Sequence, residues 1–133
     1  MRIRPGTVVL ALTLGLSLGG VSAAAHHNMS AMFDFNQRFT RTGTLVKTDW
    51  RNPHIFLSVE TKNDQGQTET WSFEGPSPTV FRNLSADKDD FINAIGKTLT
   101  IEASRARDGS LKGLMRIVTL PGGKVLSLCP QNC

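Results

Sequence analysis

Apolar and polar side chains alternate along the chain in short runs that are separated by turn-forming residues. Three such runs follow one another at residues 42–50, 54–62 and 68–74. In the second run Ile55, Leu57 and Val59 occupy every second position, and in the third Trp71 and Phe73 do the same. A period of two places such residues on one face of a β-strand. The pattern therefore predicts three consecutive strands of a meander.

A helical pattern then interrupts the strands. In 75–84, Ser77 is a suitable N-cap and Pro78 suits the first helical position, and a second short helical piece at 85–96 ends at Gly96. Strand patterns return at 97–105, 111–120 and 124–128. This order predicts an all-β fold with one short helical insertion, a small antiparallel OB-like β-barrel. An open roll or sandwich of the same strands is the alternative, because element order does not establish closure.

The alternation also predicts the residues of the core. They are Val46, Ile55, Leu57, Val59, Trp71, Phe73, Leu99, Ile101 and Ile117. In 111–120 the alternation is imperfect, since Arg116 shares a face with Leu114 and Val118, and a bulge at Gly113 would resolve the conflict.

The first residues have the pattern of a secretory signal peptide. Arg2 and Arg4 precede the apolar run 7–21, and small residues follow it up to Ala25. The apolar run is shorter than the roughly 20 residues of a membrane-spanning helix. We expect cleavage after residue 23, 24 or 25, a periplasmic or extracellular protein, and no stable membrane insertion after cleavage. The predicted division is 1–25 signal peptide, 26–38 N-terminal arm, 39–128 β-barrel and 129–133 Cys-x-x-x-Cys tail.

The charge and the motifs exclude several functions. Without Arg2 and Arg4 the 15 basic residues become 13, against 11 acidic ones, so the formal charge falls from +4 to +2. This charge is too small to indicate nucleic-acid binding, which requires a clustered basic face. The sequence also lacks Gly-x-Ser-x-Gly, His-Glu-x-x-His and a phosphate-binding loop. We therefore expect neither nucleic-acid binding nor catalysis.

Histidine and methionine cluster at the start of the expected mature chain. His26 and His27 follow the alanines, and Met29 and Met32 lie within the next five residues. A free amine and imidazoles suit Cu(II) and other divalent metals, and thioethers suit Cu(I). We expect a metal site, with copper as the candidate, in which these residues are joined by His54. In the alternative, the arm covers one end of the barrel and the histidines bind nothing.

The third histidine follows a turn. Asn52 and Pro53 favour a turn between the first two strands, which would aim His54. Asp49 or Glu74 is a candidate hydrogen-bond partner for its ring. A non-metal interpretation is also open, namely a structural or interaction module that binds a protein partner or a small ligand. For the ligand case, we expect one concave pocket lined by Trp50, Phe56 and Trp71.

Several short motifs resemble a family of secreted bacterial proteins, catalogued as domain of unknown function 6152. The motifs are AHH at 25–27, WRNPH at 50–54, WSFE at 71–74, RDG at 107–109 and LPGG at 120–123. The sequence differs from that family in Asn28, where serine is more frequent, and in its CPQNC tail. The resemblance implies a single secreted domain and implies no activity.

The tail contains the only two cysteines of the chain, Cys129 and Cys133. In an oxidising compartment a local disulfide is the default expectation. A copper or redox site is the alternative, although no thioredoxin-like pattern surrounds the two residues.

Overall fold

The computed structural model describes residues 28–129. These residues form six strands and three short helices: α1 (Met29–Met32), β1 (Phe33–Asp49), β2 (Phe56–Lys62), β3 (Thr68–Glu74), α2 (Pro78–Asn83), α3 (Lys88–Ile92), β4 (Thr98–Ala106), β5 (Lys112–Thr119) and β6 (Val125–Ser127). The predicted mostly-β fold, with a helical insertion between the third and fourth strands, is confirmed.

The strands form a single sheet whose hydrogen bonding runs round a ring. Their order is β3-β2-β1-β4-β5-β6, with antiparallel neighbours. A short parallel ladder between β3 and β5 joins the two sides, from Ser72 opposite Lys112 to Glu74 opposite Leu114. The molecule is therefore barrel-like. This parallel ladder also brings the end of β3 next to the start of β5, where the candidate site lies.

The first strand begins earlier than the sequence pattern predicts. Residues 33–38 were expected in the arm, yet they belong to β1, and Phe33 pairs with Ala106 of β4. The register of this pairing shifts between Asp34 and Arg38. Because the shift breaks the period of two, alternation does not reveal this part of the strand.

Most of the predicted core is confirmed. The predicted residues of β2, β3 and β4, together with the residue before β2, have 0–2% exposure: Ile55, Leu57, Val59, Trp71, Phe73, Leu99 and Ile101. They pack with helix residues such as Phe81 and Phe91 in one cluster. A period of two is thus a reliable guide where the ladders are regular.

Two predicted core positions were wrong, and each lies beside an irregularity. Val46 is 37% exposed, whereas Leu45 is fully buried, because the β1–β2 register shifts between Leu45 and Lys47. Ile117 is only half-buried for a similar reason. A residue inserted into one strand reverses the face on which the following side chains lie.

The bulge in β5 lies at Arg116 and not at Gly113. In the β4–β5 ladder, Glu102 pairs with Ile117 and Ala103 with Met115, so Arg116 is the extra residue. Its side chain turns inward, where a guanidinium N–H donates to Oγ of Ser104 at 3.2 Å. Burial lowers the pKa of Arg116.

Aromatic side chains pack the helical insertion against the barrel. Trp50 lies just after β1. Its ring centroid is 5.3 Å from the ring centroid of Phe81 and 5.2 Å from that of Phe91. Pro78 occupies the start of α2, as the sequence predicts, and Asp87 and Asp90 form a capping box on α3. None of the helices within residues 28–129 has the length and apolar character needed to cross a membrane.

Candidate functional site

A cavity of about 520 Å³ lies beside the turn that precedes β2. Three parts of the chain form its wall: Met32 of α1 with Phe33 at the start of β1, the turn 51–54, and the strand residues Phe56, Ser72, Glu74 and Lys112. The cavity therefore exists because the arm, the turn and the β3–β5 junction converge.

The backbone on both sides of the turn is fixed. Trp50 is packed against the helical insertion before the turn, and the Asn52–Pro53 peptide bond is cis. After the turn, Ile55 is fully buried. Its N–H donates to the carbonyl of Pro76 at 3.2 Å, and its own carbonyl accepts from the N–H of Gly75 at 2.8 Å. These bonds hold the backbone next to His54 in place.

The His54 ring is oriented by a carboxylate. Its Nδ1–H donates to Oε1 of Glu74 at 2.5 Å, and the two side chains are 28% and 11% exposed. Asp49, the other predicted partner, instead pairs with Arg51 at 2.8 Å. No residue of the described chain hydrogen-bonds to Nε2 of His54, so this nitrogen is available to a ligand.

The arm is attached where it can reach the same cavity. The backbone N–H of Arg107 donates to the carbonyl of Met32 at 2.9 Å, and its Nε–H donates to the carbonyl of Ser30 at 2.9 Å. Met32 is 41% exposed and lines the cavity together with His54. Met29 is half-buried and does not line it.

The rest of the predicted metal set lies outside the described residues. This is the case for His26 and His27. Of the two cysteines predicted to form a local disulfide, Cys129 is disulfide-bonded and Cys133 lies outside the described residues. Within residues 28–129 no group of three or more histidine, cysteine or acidic side chains could hold a metal. The described part of the chain thus contributes one imidazole at the cavity, its carboxylate partner and one thioether.

Comparison with known proteins identifies the family. A model of a family of unknown function, DUF6152, matches residues 15–116, which is more than half of the chain. The chain belongs to the DUF6152 family. No curated protein and no solved structure matches it. The matched region of this DUF6152 chain includes His54, Glu74 and Lys112 of the cavity.

The three aromatic residues expected in one pocket are separated in the DUF6152 structure. Phe56 lines the cavity beside His54, whereas Trp50 packs against the helical insertion. Trp71 is 1% exposed and borders a different cavity. The expectation of a shared pocket is corrected: large aromatic residues in neighbouring strands also serve as core, and sequence alone does not distinguish the two roles.

Four residues that line the cavity were not predicted as site residues: Phe33, Arg51, Ser72 and Lys112. Phe33 was expected in the arm, where in the alternative interpretation it covers one end of the barrel, and Arg51, Ser72 and Lys112 were given no role in a site. Lys112 reaches the cavity through the parallel pairing with Ser72. Alternation within each strand carries no information on that pairing, because it reports the face of a residue and not the neighbouring strand.

Proposed function

We propose that this DUF6152 chain is a small periplasmic or extracellular protein that binds copper or a similar divalent metal. In this proposal His26 and His27 of the processed N-terminus and His54 of the turn supply imidazole nitrogens. Met32, or Met29, supplies a thioether when the metal is reduced. The protein binds the metal and catalyses no reaction.

The observation that carries the proposal is the His54–Glu74 pair. A histidine that binds a metal through one ring nitrogen commonly donates the N–H of the other to a carboxylate. Here Nδ1–H donates to Glu74, and Nε2 has no hydrogen-bond partner in the described chain. The thioether of Met32 lies at the same cavity. Imidazole and thioether together favour copper over magnesium or calcium.

Chain length is compatible with the remaining ligands. His27 precedes Met29 by two residues in the sequence, and two residues of extended chain span at most about 7 Å. The bonds of Arg107 hold α1 beside the cavity. The N-terminal imidazoles are therefore attached to a segment that already reaches the cavity of His54.

The proposed compartment rests on two features. Residues 1–25 have the pattern of a cleaved signal peptide. Cys129 is disulfide-bonded, as is usual in exported proteins. Both features support export, and cleavage would create the free amine and expose His26 and His27 near it.

A copper titration of correctly processed protein tests the proposal. Calorimetry with Cu(II) should give one saturable site per chain. A matched protein that retains the leader lacks the free amine near His27 and should bind more weakly. Absence of saturable binding to the processed protein would contradict the proposal.

Removing the charge of the carboxylate partner should weaken the site. Glu74→Gln retains an acceptor for Nδ1–H but loses the charge that increases the basicity of His54. We expect the Cu(II) affinity to fall about tenfold. This is the lower end of the range of losses found when the hydrogen-bond partner of a metal-binding histidine is changed. Asp49→Asn is the matched control, because Asp49 pairs with Arg51. Equal affinities for Glu74→Gln and wild type would show that Glu74 does not support a metal ligand.

A second candidate function is the binding of a small organic ligand. The cavity has the volume of many small-molecule sites, and Phe33 and Phe56 provide apolar walls. Native mass spectrometry of protein isolated from its own compartment distinguishes the possibilities. A retained metal, a retained organic mass or a bound protein partner would each favour one function. Bare monomer alone would count against all three.

A further inference from the structure

Two arginines cover the same pair of aromatic rings, away from the cavity of His54. The guanidinium carbon of Arg41 lies 4.7 Å from the ring centroid of Trp71 and 5.3 Å from that of Phe39. The corresponding distances for Arg105 are 5.3 and 5.7 Å. Guanidinium groups that stack on rings by their faces keep their N–H donors directed outward in the plane.

The carboxylate of Glu69, beside Arg41, already accepts hydrogen bonds from other residues. Oε1 of Glu69 accepts a hydrogen bond from the indole N–H of Trp71 at 2.6 Å and from the hydroxyl of Thr61 at 3.4 Å. The same oxygen lies 4.0 Å from Nε of Arg41, at the limit of an ion pair. Arg105 forms no ion pair or hydrogen bond through its guanidinium with any residue of 28–129. Its contacts are with the rings.

Both arginines open onto one cavity. Its volume is about 390 Å³, and its wall also includes Lys62, Asp64 and Glu69. Three cationic side chains thus face two carboxylates there, and the Glu69 carboxylate is already hydrogen-bonded. Within residues 28–129 the guanidinium N–H groups of Arg105 have no hydrogen-bond acceptor, whereas one N–H of Arg41 donates to the carbonyl of Thr40 at 3.1 Å.

We propose that this cavity binds an oxyanion group, such as a phosphate or a carboxylate of a small ligand, between Arg41 and Arg105. Guanidinium groups match both kinds of oxyanion through paired N–H···O bonds. Lys62 adds positive charge at the edge of the site. Because the ring faces are covered by the arginines, the ligand is recognised by its charge and not by stacking. The site is independent of the proposed metal site.

A structural role for the arginines makes a different prediction. They help to keep Trp71 at 1% exposure, and this covering role alone would need their aliphatic stems and no anion. Arg105→Met keeps an unbranched apolar side chain over the rings and removes the donors. It therefore separates anion binding from covering.

The test consists of two separate titrations, one with inorganic phosphate and one with citrate. Both are done at constant ionic strength and without copper. Chemical shifts of the arginine Nε–H groups and the thermal midpoint are followed. We expect saturable shifts for Arg41 and Arg105, and an increase in the midpoint. The anion that binds with the higher affinity identifies phosphate or carboxylate as the preferred group.

Arg105→Met should bind the preferred anion at least tenfold more weakly. Arg82→Met is the matched control, because Arg82 lies on α2 and donates to Thr79, and it should bind like wild type. The wild-type shifts report the site even where a variant is unstable. The proposal is overturned if neither anion gives saturable shifts at Arg41 and Arg105, or if folded Arg105→Met binds as wild type does.

Discussion

Replacing Trp71 by alanine should lower the free energy of unfolding by about 3–5 kcal/mol, as for other fully buried aromatic residues. Trp71 is 1% exposed, and its ring centroid lies 4.8 Å from that of Phe39 and 6.0 Å from that of Phe73. The substitution also removes the indole donor of the 2.6 Å hydrogen bond to Glu69. Urea denaturation followed by circular dichroism measures the effect.

Val125→Ala is the control for this substitution. Val125 is 61% exposed on the short strand β6, so its truncation should change stability by less than about 0.5 kcal/mol. If Trp71→Ala lowered the free energy of unfolding by no more than Val125→Ala does, Trp71 would not be a core residue.

Removing the His54 imidazole should lower the Cu(II) affinity of processed protein by well over tenfold, and each tenfold corresponds to about 1.4 kcal/mol. The reason is that, in the proposed site, His54 is the ligand whose ring is already oriented by Glu74. His27→Ala should have an effect of similar size. Competition against a chelator of known affinity measures both. Phe56→Leu, a change in the same cavity wall, is the control and should leave the affinity unaltered.

The two histidine variants separate three outcomes. Loss of affinity in both supports a site shared by the arm and the turn. Loss in His27→Ala alone indicates a terminal site without His54. Unchanged affinity in both would show that neither histidine binds the metal.

The regular strands could be predicted because their alternation is clean. Ile55, Leu57 and Val59 follow a strict period of two and are fully buried. The failures at Val46 and Ile117 share one cause, which is an extra residue in the ladder. A single sequence shows that the alternation falters but does not show which residue is inserted.

The candidate site could be predicted only in part. The turn Asn52–Pro53 and the ring of His54 were recognisable from turn chemistry, and Glu74 was one of two candidate partners. The choice between Asp49 and Glu74 depends on how β2 and β3 meet, since Phe56 pairs with both residues in different ladders. Lys112 depends on the parallel β3–β5 pairing, to which the sequence pattern gives no guide.

Pulsed electron paramagnetic resonance of the Cu(II)-loaded, processed protein tests most directly whether His54 is a metal ligand. This measurement detects the remote nitrogen of each imidazole ring that is bound to the copper ion. We predict that the wild-type spectrum contains the signal of His54, and that His54→Ala shows one bound imidazole fewer. The same number of bound imidazoles in both proteins would contradict a metal site at the cavity of His54 and Glu74.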